Sequence, residues 1–337
     1  MVPTLRPPAL KRPAGSGLQR RSEAAPARES TLLMEGVQLG PDLRLIRRLG
    51  YGGMGKVWLA HHLGLSRQVA LKVLHRSVHA ERHHRERFER EAKAVGRLHH
   101  PGFIEALDFG DLVDGRKFLA MEYVEGRTLE DALREQGYLS WRTAARIGAE
   151  VAGALAFAHA KGVVHRDLKP DNVMIEGGDP ETGRVRILDL GLAELEDDEK
   201  ERGWSMGTPS YSAPEQLRGE ATDARADVYG LGAVLFRLIA GRPAHAAEAL
   251  DTVKKGCAPP SLPRDRRRPR ELDRMVASML AADAGDRPPG MEPVQACLRR
   301  LAESSPPRRR APVATLAWVA LGIVASGLAV AWVLSSP

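Results

Sequence analysis

A cluster of glycines places the strongest constraint on how this chain folds. Four of the six residues from Gly50 to Gly55 are glycine, within the stretch LGYGGMGKV. Glycine is costly to order, so such a cluster indicates a backbone that turns tightly or closely approaches another group. The flanking stretches LRLIRRLG and GKVWLAHH resemble strands. A dinucleotide-binding turn or a Walker A loop needs a helix after its glycines, so neither fits. A hairpin turn remains, either as a plain chain reversal or as a cover over a polyphosphate.

Hydrophobic periodicity predicts strands first and helices afterwards. Before Gly126 the chain has three further strand-like stretches and one helix-like stretch, in the order RQVALKVL, RERFEREAKAVGRL (the helix), FIEALDFGDL and KFLAMEYVEG. After it come three helical stretches, WRTAARIGAEVAGALAFAHAKG, RADVYGLGAVLFRLIAG and RELDRMVASMLAAD, with a short strand pair, NVMIE and RVRILDL, between the first two. The pattern predicts an α+β fold with a small β-rich lobe joined to a larger helical lobe. Ligands favour clefts at such junctions.

Charge and cysteine content narrow the class of protein. The 337 residues carry a formal net charge of +7 and only two cysteines, Cys257 and Cys297, without CxxC spacing. This argues against a disulfide framework or a zinc site. The basic balance fits nucleic acid, an anionic membrane surface or acidic substrates, and equally a well-solvated surface.

The two ends of the chain differ from its centre. Residues 1–40 are rich in Pro, Arg and Ala and predict a disordered arm. Residues 313–334 carry no charge and are long enough to cross a bilayer as a helix, with Trp318 and Trp332 towards the ends of the run. A buried core helix is the alternative for this apolar run. A basic linker, residues 303–312 with Arg308–Arg310, precedes it, so the preceding domain is expected on the cytoplasmic side.

Two stretches in the central region carry charged residues of interest. Lys72 lies within VALKVL, where its amine either faces a cleft and requires an anion or lies on a solvated edge. Glu91, in the following helical stretch, either pairs with Lys72 or is a solvated surface charge. Further along, residues 165–172 read HRDLKPDN.

Taken together, these stretches resemble the protein kinase family, and within it the bacterial eukaryotic-like Ser/Thr kinases. The resemblance covers roughly residues 43–302. Its motifs occur in the family's order: the glycine loop, VALKVL, LHHP, MEYVEG, HRDLKPDN, ILDLGLA, GTPSYSAPEQ, ADVYGLGAVLFRLIAGRPAH and DRPP. The resemblance implies a two-lobed kinase domain over residues 41–302, with lobes 41–124 and 125–302, that uses ATP and Mg²⁺.

The resemblance also implies roles for the charged and glycine residues. Three glycines of the loop would cover the ATP phosphates, namely Gly50, Gly52 and Gly55. Lys72 would pair with the α- and β-phosphates, and Glu91 would hold Lys72. Asp167 would accept or orient the proton of the substrate hydroxyl, and Lys169 would neutralise charge on the transferred phosphoryl group. The magnesium ligands would be Asn172 and Asp189, which offer the oxygen atoms that this ion prefers.

An apolar pocket for adenine follows from the same resemblance. Its walls would be Leu49, Val57, Ala70, Met121 and Met174, with Met121 as the gatekeeper. The backbones of Glu122 and Val124 would bond the base. Structurally, Glu215 is expected to pair with Arg287. Asp227 is expected to anchor the backbone of the catalytic loop, the HRDLKPDN stretch of residues 165–172.

The sequence departs from the family's pattern in the segment 189–215. Leu190 replaces the commoner Phe after Asp189. We expect activity to be retained, because leucine can fill the same apolar space. The segment is acidic, and Ser205 is the nearest hydroxyl before the Gly207–Thr208 pair. Thr208 is expected to contact the catalytic loop, and Ser205 is the best phosphate acceptor.

Two basic stretches admit alternatives. A histidine-rich stretch could hold a metal in principle, but solvated side chains are the expectation; its members are His75, His79, His83, His84, His99 and His100. RDRRRPR, residues 264–270, predicts either a solvated loop between helices or a segment near anionic lipid.

The sequence thus predicts a Ser/Thr protein kinase anchored by residues 313–334 in the bacterial inner membrane, with its kinase domain in the cytoplasm and a role in signalling. Its partners would be protein substrates and the membrane, without nucleic acid. Small residues spaced four apart in the span predict a homodimer as a weaker expectation; the pairs are Gly322 with Ser326 and Gly327 with Ala331. The alternative is a pseudokinase scaffold that binds partners without phosphoryl transfer.

Overall fold

The computed structural model of the protein describes residues 33–51, 55–188, 209–245, 250–257 and 260–304. Several predictions therefore concern residues outside the described ranges. These residues are the arm up to residue 32, Gly52, Asp189, Leu190, Ser205, Thr208, the linker from residue 305 onward and the span 313–334. Within the described ranges, no helix combines the length and apolar character needed to cross a bilayer.

An antiparallel sheet dominates the first lobe. Its strands are β1 (Gln38–Leu39), β2 (Leu43–Tyr51), β3 (Gly55–His62), β4 (Arg67–Leu74), β5 (Ala106–Asp111) and β6 (Lys117–Glu122). Among the described residues they are hydrogen-bonded in the order β1-β2-β3-β4-β6-β5. The bounds of β2, β3 and β4 agree with the predicted strand stretches, because each alternates side chains between two faces.

Alternation along β4 decides which residues face the two cores of this lobe. Val69, Leu71 and Val73 belong to an apolar cluster on one face of the sheet. Ala70 and Leu74 belong to a second cluster on the opposite face. Lys72 shares the parity of the second set, so it lies on the face of the sheet that Phe88 and Ala92 cover.

Two helices lie in the connection between β4 and β5. They are α1 (Arg76–Ala80) and α2 (Arg82–Val95). The sequence predicted α2 but started it three residues late, and it missed α1. On α2, Phe88, Ala92 and Val95 recur at helical spacing and are all buried, which gives the helix its apolar face.

The second lobe is mainly helical. Its helices are α3 (Leu129–Gln136), α4 (Trp141–His159), α5 (Pro214–Arg218), α6 (Arg225–Ala240), α7 (Leu250–Lys254), α8 (Arg270–Met279) and α9 (Met291–Glu303). A small antiparallel sheet completes it, with β7 (Gly126–Thr128), β8 (Val173–Glu176) and β9 (Val185–Ile187) in that order. Short 3-10 helices occur at Pro170–Asn172, Pro209–Tyr211 and Ala284–Asp286.

Helix α6 runs through the centre of the helical lobe. It is apolar on nearly every side, and its residues from Ala226 to Phe236 are all buried, as expected of a core helix. α4 packs against it at Gly148, where an added β-carbon would lie 2.8 Å from the Leu235 side chain. This close approach brings the last residue of α4 near the first turn of α6, where the catalytic loop is anchored.

The lobes are joined by one chain connection and by a pair of backbone hydrogen bonds. Residues 123–125 connect β6 to β7. Behind this connection, the Ile104 N–H donates to the Ile187 carbonyl at 3.0 Å and the Ile187 N–H to the Gly102 carbonyl at 2.7 Å. The two-lobed α+β fold is thus confirmed, with the cleft between the first sheet and the β8–β9 strands.

The boundary predicted at residue 41 requires a correction. Gln38 and Leu39 pair with β2, and Leu39 is buried. The disordered arm was predicted to continue through residue 40 because Pro, Arg and Ala dominate its composition. Composition does not reveal that one leucine completes the apolar cluster on the outer face of the sheet.

Candidate active site

The loop after α4 is held in an unusual backbone conformation. Arg166 has φ of 64°, in the left-handed region that non-glycine residues rarely adopt. The buried Asp227 carboxylate accepts from the backbone N–H groups of His165 at 2.8 Å and Arg166 at 2.7 Å. Gln216 donates through Nε2 to the Arg166 carbonyl at 2.8 Å. These bonds stabilise a conformation that costs about 1–3 kcal/mol when unsupported.

Asp227 is also tied to the end of α4. His159 Nε2 and the Asp227 carboxylate lie 2.7 Å apart. Burial works against ionisation of Asp227, but the hydrogen bond from His159 and the proximity of His165 and His159 outweigh it and hold the pKa of that carboxyl below its ordinary value. Asp227 therefore acts as a charged acceptor that fixes the backbone of the catalytic loop at His165 and Arg166, as the sequence predicted.

Three predicted site residues meet directly above this anchor. Asp167 Oδ2 accepts from Lys169 Nζ at 2.8 Å and from Asn172 Nδ2 at 3.1 Å. Asn172 Nδ2 also donates to the Asp167 carbonyl at 2.8 Å. Among the described residues no hydrogen bond uses Asp167 Oδ1, so this oxygen can accept a proton from a bound hydroxyl.

Asn172 also connects this group to the segment that contains Asp189. The Leu188 N–H donates to the Asn172 carbonyl at 2.9 Å. The last described residue before Asp189 is therefore bonded to Asn172. Because Asn172 donates through Nδ2, its Oδ1 is the atom that could bind a cation, and an amide oxygen suits a hard divalent ion such as Mg²⁺.

The predicted phosphate-binding residues lie in the first lobe. Lys72, in β4, lies opposite Val57 of β3 and Leu119 of β6. Gly50 lies opposite Val57 at the end of the β2–β3 hairpin. Glu91 is in α2, but its side chain is outside the described part of the structure.

The two described glycines of the hairpin differ in what surrounds them. A β-carbon at Gly55 would overlap the Val73 carbonyl oxygen of β4. At Gly50 an added β-carbon would meet no described protein atom within 4 Å. Strand packing therefore explains Gly55, whereas no contact among the described residues requires glycine at position 50.

Four of the five residues predicted to line an adenine pocket lie together. Leu49 and Val57 pack against the cluster that contains Ala70 and Met121. Met174 lies apart from it, in β8, opposite Thr128 and Arg186. The cluster also contains Leu188 and Ile104, which sequence reasoning missed, although both are apolar residues adjacent to predicted strands or within them.

The connection between the lobes offers backbone groups to a base. Among the described residues no hydrogen bond involves the backbone of Val124, so both of its polar groups are available. The Glu122 N–H instead donates to the Glu105 carbonyl at 2.9 Å. This leaves only the carbonyl of Glu122 for the predicted contact.

A buried ion pair behind the cleft escaped prediction. The Arg186 guanidinium contacts the Glu122 carboxylate and donates to the Phe103 carbonyl at 3.1 Å. Arg186 is buried, and Glu122 terminates β6, so the pair links the small sheet of one lobe to the large sheet of the other. The one available signal was the position of Arg186 between the apolar residues Val185 and Ile187.

Comparison with known proteins decides the family. The family model for the protein kinase domain matches residues 43–298. The chain belongs to the protein kinase family. This kinase is 38% identical to the serine/threonine-protein kinase pkn3 of Myxococcus xanthus over 80% of its own length and 52% of that protein. It is 34% identical to the serine/threonine-protein kinase PknB of Mycobacterium tuberculosis over 77% of this chain and 42% of that protein.

Solved structures agree with the assignment. The crystal structure of the Mycobacterium tuberculosis PknI kinase domain superimposes with a TM-score of 0.65 at 31% identity, covering 80% of this chain and 100% of that one. The chain spans about half or less of the length of the curated relatives it matches. Its kinase domain is thus that of a bacterial eukaryotic-like serine/threonine-protein kinase.

An ion pair below the cleft completes the helical lobe of the kinase. Arg287 donates to Glu215 through both terminal nitrogens, at 2.6 and 2.7 Å, as the sequence predicted. Arg287 also donates through Nε to the Ala281 carbonyl at 2.8 Å and lies over the ring of Tyr229. The pair holds α5, and with it Gln216, beside the catalytic loop.

Proposed function

We propose that the chain is a membrane-anchored kinase that transfers the γ-phosphoryl group of ATP to Ser or Thr hydroxyls of proteins in a signalling role. The observation that carries the proposal is the arrangement around Asp167. One of its carboxylate oxygens is held by Lys169 and Asn172, and the other is available to a substrate. Relatives are named serine/threonine-protein kinases, which supports the choice of acceptor.

The residues have distinct tasks in this transfer. Asp167 Oδ1 orients the acceptor hydroxyl and receives its proton as the new O–P bond forms and the bond from the γ-phosphorus to the ADP oxygen breaks. Lys169, 2.8 Å from Asp167, places an ammonium group beside the transferred phosphoryl. Lys72 anchors the phosphates from the opposite lobe. Since phosphoryl transfer depends mainly on positioning and charge stabilisation, these tasks fit the geometry.

Magnesium fits the donor atoms at this site. Asn172 would hold it through Oδ1, together with Asp189, which lies outside the described residues. When bound, the ion neutralises charge on the β- and γ-phosphates. The rigid placement of Asn172 by its two bonds to Asp167 would keep that ligand in position.

Transfer of labelled phosphate from ATP to a general Ser/Thr protein substrate tests the function. Asp167→Asn is expected to bind nucleotide as tightly as the wild type while turnover falls by at least 100-fold. Lys72→Met is expected to lower both the affinity for nucleotide and the turnover. Asp171→Asn, an exposed carboxylate in the same motif, is the matched control and should retain activity. A wild-type enzyme without transfer would instead support a scaffold.

The membrane anchor is proposed from residues 313–334. An uncharged run of this length preceded by Arg308–Arg310 supports insertion with the kinase domain in the cytoplasm of a bacterium. The small residues within the run support dimerisation there. The test is to wash membranes at alkaline pH and to compare how much of the full chain and of a chain truncated after Ser304 is retained. Retention of the truncated chain on washed membranes would contradict the anchor.

A further inference from the structure

The segment that leads into α8 forms a basic surface of defined shape. Residues 264–274 contain six arginines and three acidic residues, a net charge of +3. Five of the arginines are exposed, and they define what is called here the α8 basic surface: Arg264, Arg266, Arg267, Arg270 and Arg274. Among the described residues no ion pair involves any of the five.

The sixth arginine holds the segment in place. Arg268 is buried and donates through Nε to Asp273 at 2.5 Å and through Nη2 to the Pro263 carbonyl at 2.5 Å. The Asp265 carboxylate accepts from the Arg267 N–H at 2.8 Å. Two of the three acidic side chains are thus engaged within the segment, and the remaining arginines are displayed on a fixed turn.

The α8 basic surface lies near Ser304, the last described residue before the proposed anchor, and this position is called the exit here. The third acidic residue, Glu271, contacts Arg300 near the end of α9. Arg300 is four residues, or roughly 6 Å along the helix, from Ser304. The Ser304 carbonyl in turn accepts from Arg142 at 3.2 Å, which fixes the exit.

The short distance from this exit to the apolar run limits where the surface can be. Residues 304–313 span at most about 30 Å when fully extended. If residues 313–334 are in the bilayer, as proposed above, Ser304 cannot be farther from it than that, and α8 is linked to the same end of α9 through Glu271 and Arg300. Charges interact with an anionic leaflet within a Debye length, about 8–10 Å at physiological salt, so a modest approach is enough.

We infer that the α8 basic surface docks on anionic phospholipid headgroups and holds the kinase domain against the membrane face. The inference rests on the proposed anchor, and it adds a second, electrostatic contact made by the folded domain itself. A second group of three exposed arginines, Arg44, Arg47 and Arg48 on β2, belongs to the other lobe. No described contact brings those residues near α9, so they are not part of this surface.

The test measures how close α8 lies to the bilayer in the full chain. A fluorophore is placed at exposed position 277 through Ala277→Cys, with Cys257→Ser to remove the other exposed thiol. The protein is reconstituted into phosphatidylcholine vesicles with or without 30% phosphatidylglycerol, which carry an acceptor dye in the lipid. Energy transfer is expected to rise with the anionic lipid and to fall back at about 1 M salt.

Two charge variants separate the surface from general basicity. Replacing Arg264, Arg266 and Arg267 by Gln should lower the docked-to-undocked ratio by on the order of fivefold per residue and so abolish most of the lipid response. Replacing Arg44, Arg47 and Arg48 by Gln removes the same charge and should leave the response intact. Equal energy transfer in both lipids, or equal responses of the two variants, would overturn the inference.

Failure of the anchor would be seen separately. Protein that does not co-float with phosphatidylcholine vesicles contradicts the anchor, whatever α8 does. If binding to phosphatidylglycerol vesicles still depended on Arg264, Arg266 and Arg267, the lipid-binding role of the α8 basic surface would be supported without the anchor. If no such binding were seen, both the anchor and the docking surface would be contradicted. A DNA duplex that competes more strongly than anionic vesicles at equal charge would reassign the surface to nucleic acid.

Discussion

At the scale of single residues, Asp227 holds the backbone of the catalytic loop from a helix outside it. Its carboxylate receives three hydrogen bonds from His159, His165 and Arg166, and it supports a left-handed residue next to Asp167. An isosteric change shows the consequence, because an amide at this position must turn one donor towards another donor.

Asp227→Asn is expected to lower the free energy of unfolding by about 3–5 kcal/mol, as when one partner of a buried ionic network is removed. Turnover should fall with it, because Asp167 loses its fixed position. Denaturant unfolding and steady-state assays measure the two effects. Asp223→Asn, the same change in an exposed pair with Arg225, should cost less than about 1 kcal/mol. Equal costs at the two positions would contradict the anchoring role.

The site residues themselves were predictable because each belongs to a motif with its own spacing. Contacts that the resemblance does not name were not, since sequence periodicity does not say how separate strands and helices meet. Arg186 illustrates the limit. Its pairing with Glu122 depends on how two sheets meet, and no local pattern encodes that distance.

At the scale of elements, the β2–β3 hairpin is the clearest case where strand packing and ligand binding make separate demands. The bounds of both strands followed from alternation alone. The short elements α1, α3 and β7 were missed because a few residues carry too little periodicity, although Thr128 and Asp131 of α3 form a recognisable capping box.

Alanine at each glycine of the hairpin separates these demands. Gly55→Ala is expected to destabilise the fold by about 1–3 kcal/mol, because the new methyl group overlaps β4. Gly50→Ala should leave the melting temperature nearly unchanged and raise the KM for ATP, if the phosphates lie over the hairpin as proposed. Thermal melting and ATP titration of the same two variants check this. A KM unaffected by Gly50→Ala would place the phosphates elsewhere.

The pairing of α5 with the segment before α9 makes a second prediction about elements. Arg287→Lys retains the charge but not the two-pronged contact with Glu215, and a lysine cannot also reach the Ala281 carbonyl. A loss of about 1–3 kcal/mol is expected from denaturant curves, because buried acceptors lose their hydrogen bonds while the charge is kept. Arg225→Lys, at an exposed pair, is the control. Comparable losses would indicate that the buried pair is weaker than its geometry suggests.

At the scale of the whole molecule, the two lobes are also held together by the segment around His100. Its ring packs on Phe157 of α4 at 4.9 Å between centroids, and its Nδ1 accepts from the Gly102 N–H at 3.0 Å. Burial lowers the pKa of His100 from its usual 6.5. The unfolded chain therefore binds a proton at a higher pH than the folded chain does.

Stability should consequently fall as the pH drops through about 6.5, because protonation then favours the unfolded state. Burial lowers the pKa of His245 as well, so both residues contribute. The melting temperature at pH 5.5 is expected to be below that at pH 7.5, and His100→Asn, which keeps an acceptor without a titrating group, should reduce the difference. An unchanged difference in the variant would exclude His100 as a contributor.

The anchoring of the catalytic loop by α6 has a consequence for the kinase during its own synthesis. His165 and Asp227 are 62 residues apart, so translation at about 5–20 residues per second leaves roughly 3–12 s between them. Over that interval the loop has no carboxylate to hold Arg166 in its left-handed conformation. A nascent chain that ends before Asp227 therefore lacks the group that fixes this loop, although it already contains Asp167, Lys169 and Asn172.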